Sequence, residues 1–450
     1  MRAVCLILIA VIFQVEPSMA QDAHAEKDSA QQHVGQNMPG MTGMSHQDMS
    51  GHKMTMESHS LIELLQHHVT AGTDAEPNST PAPMLMTMKG KWTLMFHGEA
   101  FLNDIQQSSP RGADKFFSTN WIMPMAQRQL GKGTLTLRAM LSFEPGTVSK
   151  RRYPELFQQG ETAFGRAVVD GQHPHDFFME LAALYDHKLS ENTLLSFYAA
   201  PMGDPAMGPL AYPHRPSASE DPIAPLGHHL QDSTHIADDV ITVGLTYRDV
   251  RLEASGFHGR EPDEFRWNLD SGEIDSWSSR LTVNPGQSWS FQYSLAQLHS
   301  PEALAPATDL RRMTASLMYN RRLQKNGNWA SMLLWGRNRS LVDGNIGNSY
   351  LAESTLHWAG KNYLWTRIEN VDRTNELLLG ENLEPVGFQE RYFARVQAYT
   401  AGYDREIGHI PHLSTAVGAQ VTWYGVPDTL KPIYNSHPAG VVMFLRLRPQ

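Results

Sequence analysis

The sequence predicts an all-β protein: an antiparallel transmembrane β-barrel of about 16 strands, with 14 to 18 as the range, behind a disordered N-terminal tail. Three observations predict it. Apolar and polar residues alternate along many segments, most clearly from Trp289 to Leu295. Tight turns alternate with long polar connections, as periplasmic turns alternate with extracellular loops in such barrels. Charged residues fall on the polar face of the strands, where a watery lumen accepts them. A large soluble β-sandwich is the alternative with the same alternation.

Composition excludes two other classes. The chain has 450 residues and a formal net charge of −10, which argues against nucleic acid as a partner. Its mean hydropathy is −0.39, and after residue 20 no apolar run approaches the roughly 18 residues that a spanning helix needs. A barrel remains compatible with this value, because half of each barrel strand is polar.

Residues 1–20 have the pattern of a signal peptide. Arg2 supplies the positive charge, residues 3–15 form a largely apolar stretch, and Ser18-Met19-Ala20 is a cleavage site of small residues. An uncleaved anchor is the alternative. The single cysteine, Cys5, lies in this segment, so soft-metal chemistry in the exported chain would depend on methionine and histidine.

Residues 21–59 contain few residues that could form a core and are predicted to be a disordered, metal-binding tail. Thioether sulfur is a soft ligand that suits Cu(I), and imidazole binds copper, zinc and nickel, so a copper ion is the expected cofactor. A low-complexity linker is the alternative. The predicted ligands are Met38, Met41, Met44, His46, Met49, His52, Met54, Met56 and His59.

Residues 60–90 are predicted to be a short helix and a linker. Ser60 and Glu63 have the spacing of a capping box, and the following residues provide an apolar face. The stretch 71–83, rich in Pro, Ser, Thr and Asn, indicates a linker into the barrel.

Residues 91–450 are predicted to be the barrel. The predicted strands cover residues 92–99, 116–125, 134–143, 177–185, 193–200, a pair within 240–257, 277–283, 289–295, 313–319, 329–337, 351–358, 363–369, 391–403, 414–423 and 440–448. The alternation directs toward the lumen the charged residues Arg138, Glu180, Glu253, Arg280, Glu353, Arg367, Glu369, Arg395 and Arg446, and the candidate lumenal ligands Met95, His97, Glu99 and His357.

Two long connections, 146–177 and 201–239, carry further histidines. His173 and His175 have a spacing at which two imidazoles can reach one ion, and they are candidate metal ligands. His228, His229 and His235 form a second group, although adjacent histidines are poor chelate partners. Ordinary loop hydrogen bonds are the alternative for both groups. The sequence contains no nucleophile elbow, phosphate loop, dinucleotide fingerprint or zincin motif, so it does not predict an enzyme.

The tail motif Met38-Pro39-Gly40-Met41-Thr42-Gly43-Met44-Ser45-His46, its continuation to His59, and the order of leader, tail and barrel resemble the copper resistance protein B family. The resemblance implies a protein of the cell outer membrane with its tail in the periplasm, acting in copper sequestration, resistance or export. Its partners would be outer-membrane lipid, copper ions and periplasmic copper-handling proteins, without nucleic acid. Two alternatives remain: a general porin or passive solute channel with an incidental tail, and a lipid-modifying enzyme with a Ser/His pair at the membrane interface.

Overall fold

Sixteen antiparallel strands form a closed barrel. The computed structural model describes residues 53–56, 58–232, 237–380 and 382–449. The wall strands are β1 (Trp92–Ser108), β2 (Lys115–Leu130), β3 (Gly133–Leu141), β4 (Phe178–Ser190), β5 (Thr193–Gly203), β6 (Ala237–Tyr247), β7 (Val250–His258), β8 (Ser276–Val283), β9 (Trp289–Leu298), β10 (Leu310–Leu323), β11 (Gly327–Ser340), β12 (Ile346–Trp358), β13 (Asn362–Thr374), β14 (Tyr392–Ile410), β15 (Leu413–Gly425) and β16 (Ala439–Pro449).

Each wall strand pairs with its neighbours in sequence, and the last strand closes the ring on the first. The closing register runs from Ser108 opposite Ala439 to Ala100 opposite Leu447. Closure leaves no unpaired sheet edge, which is the condition for a sheet to lie in lipid. The predicted barrel and strand number are confirmed.

The two ends of the barrel differ in the length of their connections. One end has short turns at residues 131–132, 191–192, 248–249, 284–288, 324–326, 359–361 and 411–412. The opposite end has longer connections, of which 142–177 and 204–236 are the longest, followed by 259–275 and 375–391. We call these the short-turn end and the loop end.

The outer face of the wall is apolar. Along β9, Trp289, Phe291 and Tyr293 are 40%, 44% and 44% exposed, whereas Gln292 and Ser294 are buried. The same period of two repeats around the barrel, and side chains that would form the core of a soluble sheet here face outward. The orientation predicted for this strand is confirmed, and the fold is that of a transmembrane β-barrel. None of the helices in the described part of the chain has the length and apolar character needed to cross a membrane.

The inner face is polar and charged. Eight of the nine charged residues predicted to face the lumen are buried: Arg138, Glu180, Glu253, Arg280, Glu353, Arg367, Glu369 and Arg446. The prediction for Arg395 is wrong. In β14 the even-numbered residues Ala394 and Val396 face inward, so Arg395 points outward, where its Nε lies 2.6 Å from Asp372 Oδ1.

An N-terminal segment precedes the wall and lies largely inside it. A short strand, Lys53–Met56, pairs with a second strand, Ala82–Lys89, which also pairs with the first residues of β1. Between them, helix α1 (Leu61–His67) begins at Ser60, whose Oγ accepts a hydrogen bond from Glu63 N at 3.2 Å, so the predicted Ser60 cap is confirmed. The Glu63 carboxylate accepts from His59 N at 2.8 Å, one residue before the position that a capping box requires. Strands therefore occur within both the predicted disordered tail (21–59) and the predicted linker region (60–90).

Wall side chains hold this segment in the lumen. Arg138 pairs with Glu180 (Nε to Oε2, 2.7 Å), and its Nη1 donates to the His68 carbonyl at 3.1 Å. The Gly72 backbone N–H donates to the same Glu180 at 3.0 Å. On the facing wall, Arg280 binds Asp74 and donates to Thr73 Oγ1 at 3.0 Å. The stretch predicted to be a linker is thus buried in the lumen. Its backbone and carboxylate oxygens accept hydrogen bonds from arginine side chains of the wall.

The 142–177 and 204–236 loops also fold into the lumen. Leu156 and Phe157 of the first loop belong to one buried cluster with Val371 and Val396 of the inner wall. Arg215, on the 204–236 loop, pairs with Glu353 of β12 at 2.9 Å, and Arg367 of β13 donates to the Ile223 carbonyl at 2.9 Å. At Gly336 the loop backbone approaches so closely that a Cβ would lie 2.1 Å from the Leu230 carbonyl oxygen. The remaining short elements are the helices Glu144–Thr147, His228–Gln231 and Lys431–Tyr434, the 3-10 turns Ser149–Arg151, Tyr212–His214 and Asn375–Leu378, and the strands Tyr153–Pro154, Glu161–Ala163, Arg166–Val168 and Gly171–Gln172.

The buried Arg138–Glu180 pair should contribute more to stability than the exposed Arg395–Asp372 pair. Arg138→Met leaves the Glu180 charge buried and is expected to lower the free energy of unfolding by roughly 3–5 kcal/mol. The control Arg395→Met should lower it by about 0–1 kcal/mol. Urea unfolding in detergent, followed by tryptophan fluorescence, measures both, and equal losses would contradict the buried role.

A charge on the outer face should be costly only within the apolar belt. Leu333, in the middle of β11, is 57% exposed and lies opposite Leu317 and Ala352. Leu333→Arg is expected to cost roughly 2–4 kcal/mol in lipid vesicles, the range for arginine near a bilayer midplane. Leu341→Arg, just beyond the strand, is the control and should change the unfolding free energy little. A small effect of Leu333→Arg would show that this surface does not face lipid.

Candidate metal centre

Methionines converge on the inner wall formed by β1, β2, β3 and the strand Ala82–Lys89. Met86 lies opposite Met95, Met95 opposite Met125, and Met123 opposite His97. Opposite residues on one face have Cβ atoms about 4.5–5.5 Å apart, so these side chains are neighbours. We call the following buried set the methionine cluster: Met84, Met86, Met95, Met123, Met125 and Met140.

Two histidines stand at the edge of the methionine cluster. His214, carried into the lumen by the 204–236 loop, places Nε2 3.4 Å from the Met140 sulfur. Its ring lies 4.4 Å from Trp121 and 5.7 Å from His97, measured between centroids. His97 Nε2 is buried and has no hydrogen-bond partner among the described residues. An imidazole nitrogen and several thioether sulfurs therefore occupy one part of the lumen.

A cavity of about 870 Å³ opens beside this cluster. Met84, His97 and His214 contribute to its lining on one side, and the turn residues Lys325 and Asn326 place it at the short-turn end. It is large enough for an ion with its hydration water, and side chains with soft and borderline ligand atoms line it.

The four lumenal candidates have different surroundings. His97, Glu99 and His357 line this cavity, and Met95 lies in the adjacent methionine cluster. Glu99 accepts a hydrogen bond from Arg448 Nε at 3.0 Å, so its charge is already balanced. The His357 ring stacks on Tyr363 with centroids 4.1 Å apart. Carboxylates of Glu76, Glu220 and Glu406 also line the cavity, so sulfur and imidazole predominate in the adjacent methionine cluster rather than in the cavity as a whole.

Most tail candidates lie outside the described residues, as does the predicted signal peptide. This group comprises Met38, Met41, Met44, His46, Met49 and His52. Met54 and Met56 belong to the strand that pairs with Ala82–Lys89, and only their backbone is described. The His59 carbonyl accepts from Gln287 Nε2 at 2.8 Å, in the turn between β8 and β9. The described end of the tail is therefore at the same end of the barrel as the cavity.

The histidines of the His-x-His motif do not share a site. His175 Nδ1 lies 3.0 Å from Glu144 Oε2, and its Nε2 lies 3.2 Å from the Tyr212 hydroxyl oxygen, at hydrogen-bond distance. Burial by itself would lower the pKa of His175, but the Glu144 carboxylate outweighs it and raises that pKa. His173 points elsewhere and lies beside His228 and His229. His235 falls outside the described residues.

Sequence reasoning missed as members of the site Met84, Met86, Met123, Met125, Met140 and His214. Met140 lies on the polar face of its predicted strand, and Met123 and Met125 lie on one face of theirs, on either side of Pro124. Methionine at an inward-facing position was therefore the sequence signal that could have identified them. His214 carried no signal, because no spacing rule connects it to β3. The enzyme alternative required a Ser/His pair at the membrane interface. Ser58 Oγ does lie 3.0 Å from His67 Nδ1, but both residues are buried within the lumenal segment.

Comparison with known proteins gives structural similarity only. No family model and no curated protein sequence matches the chain. Among solved structures, an anion-selective porin from Comamonas acidovorans is 11% identical, with a TM-score of 0.46, covering 79% of this chain and 99% of that chain. A loop-deletion mutant of OmpT, an outer membrane protein of Vibrio cholerae, is 7% identical, with a TM-score of 0.45, covering 80% of this chain and 100% of that chain. OmpF of Salmonella typhi in complex with daunomycin is 10% identical, with a TM-score of 0.45, covering 80% of this chain and 99% of that chain. The fold described above follows from the strand pairing.

Proposed function

We propose that this protein is an outer-membrane β-barrel that captures copper at its short-turn end, for sequestration, resistance or export. The apolar outer face and the closed ring of strands support the outer membrane, where barrels of this type place short turns in the periplasm. In this orientation the cavity and the described end of the tail both face the periplasm.

The observation that carries the proposal is the methionine cluster with His214 and His97 at its edge. Buried methionine is usually a packing residue. Here Met84 of the cluster lines a cavity, and His214 Nε2 lies 3.4 Å from the Met140 sulfur. His97 Nε2 has no hydrogen-bond partner among the residues that the structure describes. Thioethers with one or two imidazoles make a soft, low-coordinate site that suits Cu(I).

The tail would act as the first acceptor. Its methionines and histidines precede the strand Lys53–Met56, which pairs with the strand carrying Met84 and Met86. Copper delivered by a periplasmic copper-handling protein would pass from the thioethers of the tail to the lumenal site. Sulfur ligands at both places keep the ion in one oxidation state during this transfer.

A general porin is the second candidate, and the contents of the lumen favour the copper proposal over it. Helix α1, the buried stretch after it and the 204–236 loop occupy the interior, held by Arg138, Arg280 and Arg215. A passive channel needs an unobstructed path, whereas a binding protein needs enclosed ligands.

The lumenal site predicts selective loss of Cu(I) affinity. Met125→Leu combined with His214→Gln should weaken Cu(I) binding by about tenfold or more, the scale seen when a metal site loses part of its support. Leucine replaces methionine at similar volume, so the fold should persist. Competition with a chromophoric Cu(I) chelator under reducing conditions measures the affinity. The control is Met318→Leu, a methionine buried in a separate apolar cluster, and an equal effect of both variants would contradict the proposal.

The tail and the lumen should contribute separate sites. Deleting residues 36–52 should lower the number of Cu(I) ions bound per chain while leaving the lumenal affinity unchanged. Metal analysis after dialysis measures the stoichiometry. Unchanged stoichiometry would exclude the tail as a copper ligand, without bearing on the lumenal site.

A further inference from the structure

Three buried histidines meet inside the lumen, apart from the methionine cluster. His173 ends the 142–177 loop, and His228 and His229 begin a short helix in the 204–236 loop. One ring nitrogen of each lies within 4.8 Å of the others, and the side chains are 4%, 0% and 5% exposed. Three imidazoles at this separation in a buried position are an arrangement that a single ion can bridge.

Backbone carbonyls orient two of these rings. His173 Nδ1 lies 2.8 Å from the Pro174 carbonyl oxygen, and His228 Nδ1 lies 2.7 Å from the Pro225 carbonyl oxygen. A carbonyl only accepts, so each Nδ1 carries the hydrogen and donates it. In the neutral ring Nε2 then has the lone pair, and this is how histidine ligands are held in metal sites, with the second nitrogen bound to a carbonyl or carboxylate.

A carboxylate completes the group. Glu161 Oε1 lies 3.0 Å from His173 Nε2 and 4.0 Å from His229 Nδ1. Glu161 Oε2 is held by Arg266 at 3.4 Å, and Arg266 also pairs with Asp176 at 3.3 Å. Two ligands at about 2.0–2.1 Å from one ion are roughly 2.8–3.4 Å apart at angles between octahedral and tetrahedral. The spacing of His173 and Glu161 agrees with this.

We propose that His173, His228, His229 and Glu161 bind one borderline divalent transition-metal ion, Zn²⁺ or Cu²⁺. Imidazole nitrogen suits these ions, whereas Ca²⁺ and Mg²⁺ take oxygen ligands. The ion joins the 142–177 loop to the 204–236 loop, and Arg266 brings in the 259–275 loop behind Glu161. It therefore fastens the segments that fill the lumen. This site is chemically separate from the methionine cluster and does not depend on copper capture there.

Cobalt is a suitable probe, because Co²⁺ takes zinc sites and its visible absorption reports nitrogen-rich tetrahedral coordination. The purified full-length chain is titrated with Co²⁺, followed by Zn²⁺ or Cu²⁺. We expect an intense visible band that saturates at about one ion per chain and disappears on addition of the competing ion. A wild-type chain without such a band overturns the proposal.

Two variants and two controls locate the site. His228→Ala and, as the gentler change, Glu161→Gln should each abolish or shift the band and weaken Zn²⁺ binding by about tenfold or more. His299→Ala, an exposed histidine (57%) paired with Asp309, should leave it unchanged. A band that persists in both His228→Ala and Glu161→Gln belongs to another site, such as the tail, and overturns the assignment. Met125→Leu should leave the cobalt band intact, so failure here is distinguishable from failure of the Cu(I) proposal.

Discussion

Pairing of arginine side chains inside the barrel is the interaction on which the rest of the structure depends. The two-residue period of the strands puts Arg138, Arg280 and Arg367 on the inner face. A buried guanidinium without a partner costs several kcal/mol, so each must be matched by a carboxylate or carbonyl. The wall supplies some partners, such as Glu180 and Glu353, and chain segments inside the lumen supply the others.

The same arginine pairing determines which potential metal ligands come together inside the barrel. Because loops and the N-terminal segment are fastened to the wall, their side chains are held at fixed places in a polar interior. His214 reaches the methionine cluster in this way, and His228 and His229 reach His173. The two proposed sites differ in ligand type, sulfur with imidazole in one and imidazole with carboxylate in the other, so the ions proposed for them differ as well.

Prediction from sequence succeeded where the pattern was local and periodic. The barrel, the strand number, the Ser60 cap and the inward positions of His97, Glu99 and His357 followed from alternation or from capping. The predicted inward orientation of Arg395 was wrong, because a one-residue difference in register changes the face of every side chain in a strand. The stretch 71–83 resembled a linker in composition, yet its oxygens are partners for Arg138 and Arg280, which composition does not reveal.

Except in β14, where Arg395 lies on the opposite face from the predicted one, the sequence by itself determined which strand side chains face outward and which face the lumen. The reason is that a strand alternates its faces and a closed barrel has only those two. It also determined that sulfur and imidazole are the available soft ligands. Only the tertiary structure decided which of them meet. His173 lies beside His228 and His229, while His175 turns to Glu144 and Tyr212. These contacts join loops that are distant in sequence and have no period, so they depend on how each loop packs within the closed wall.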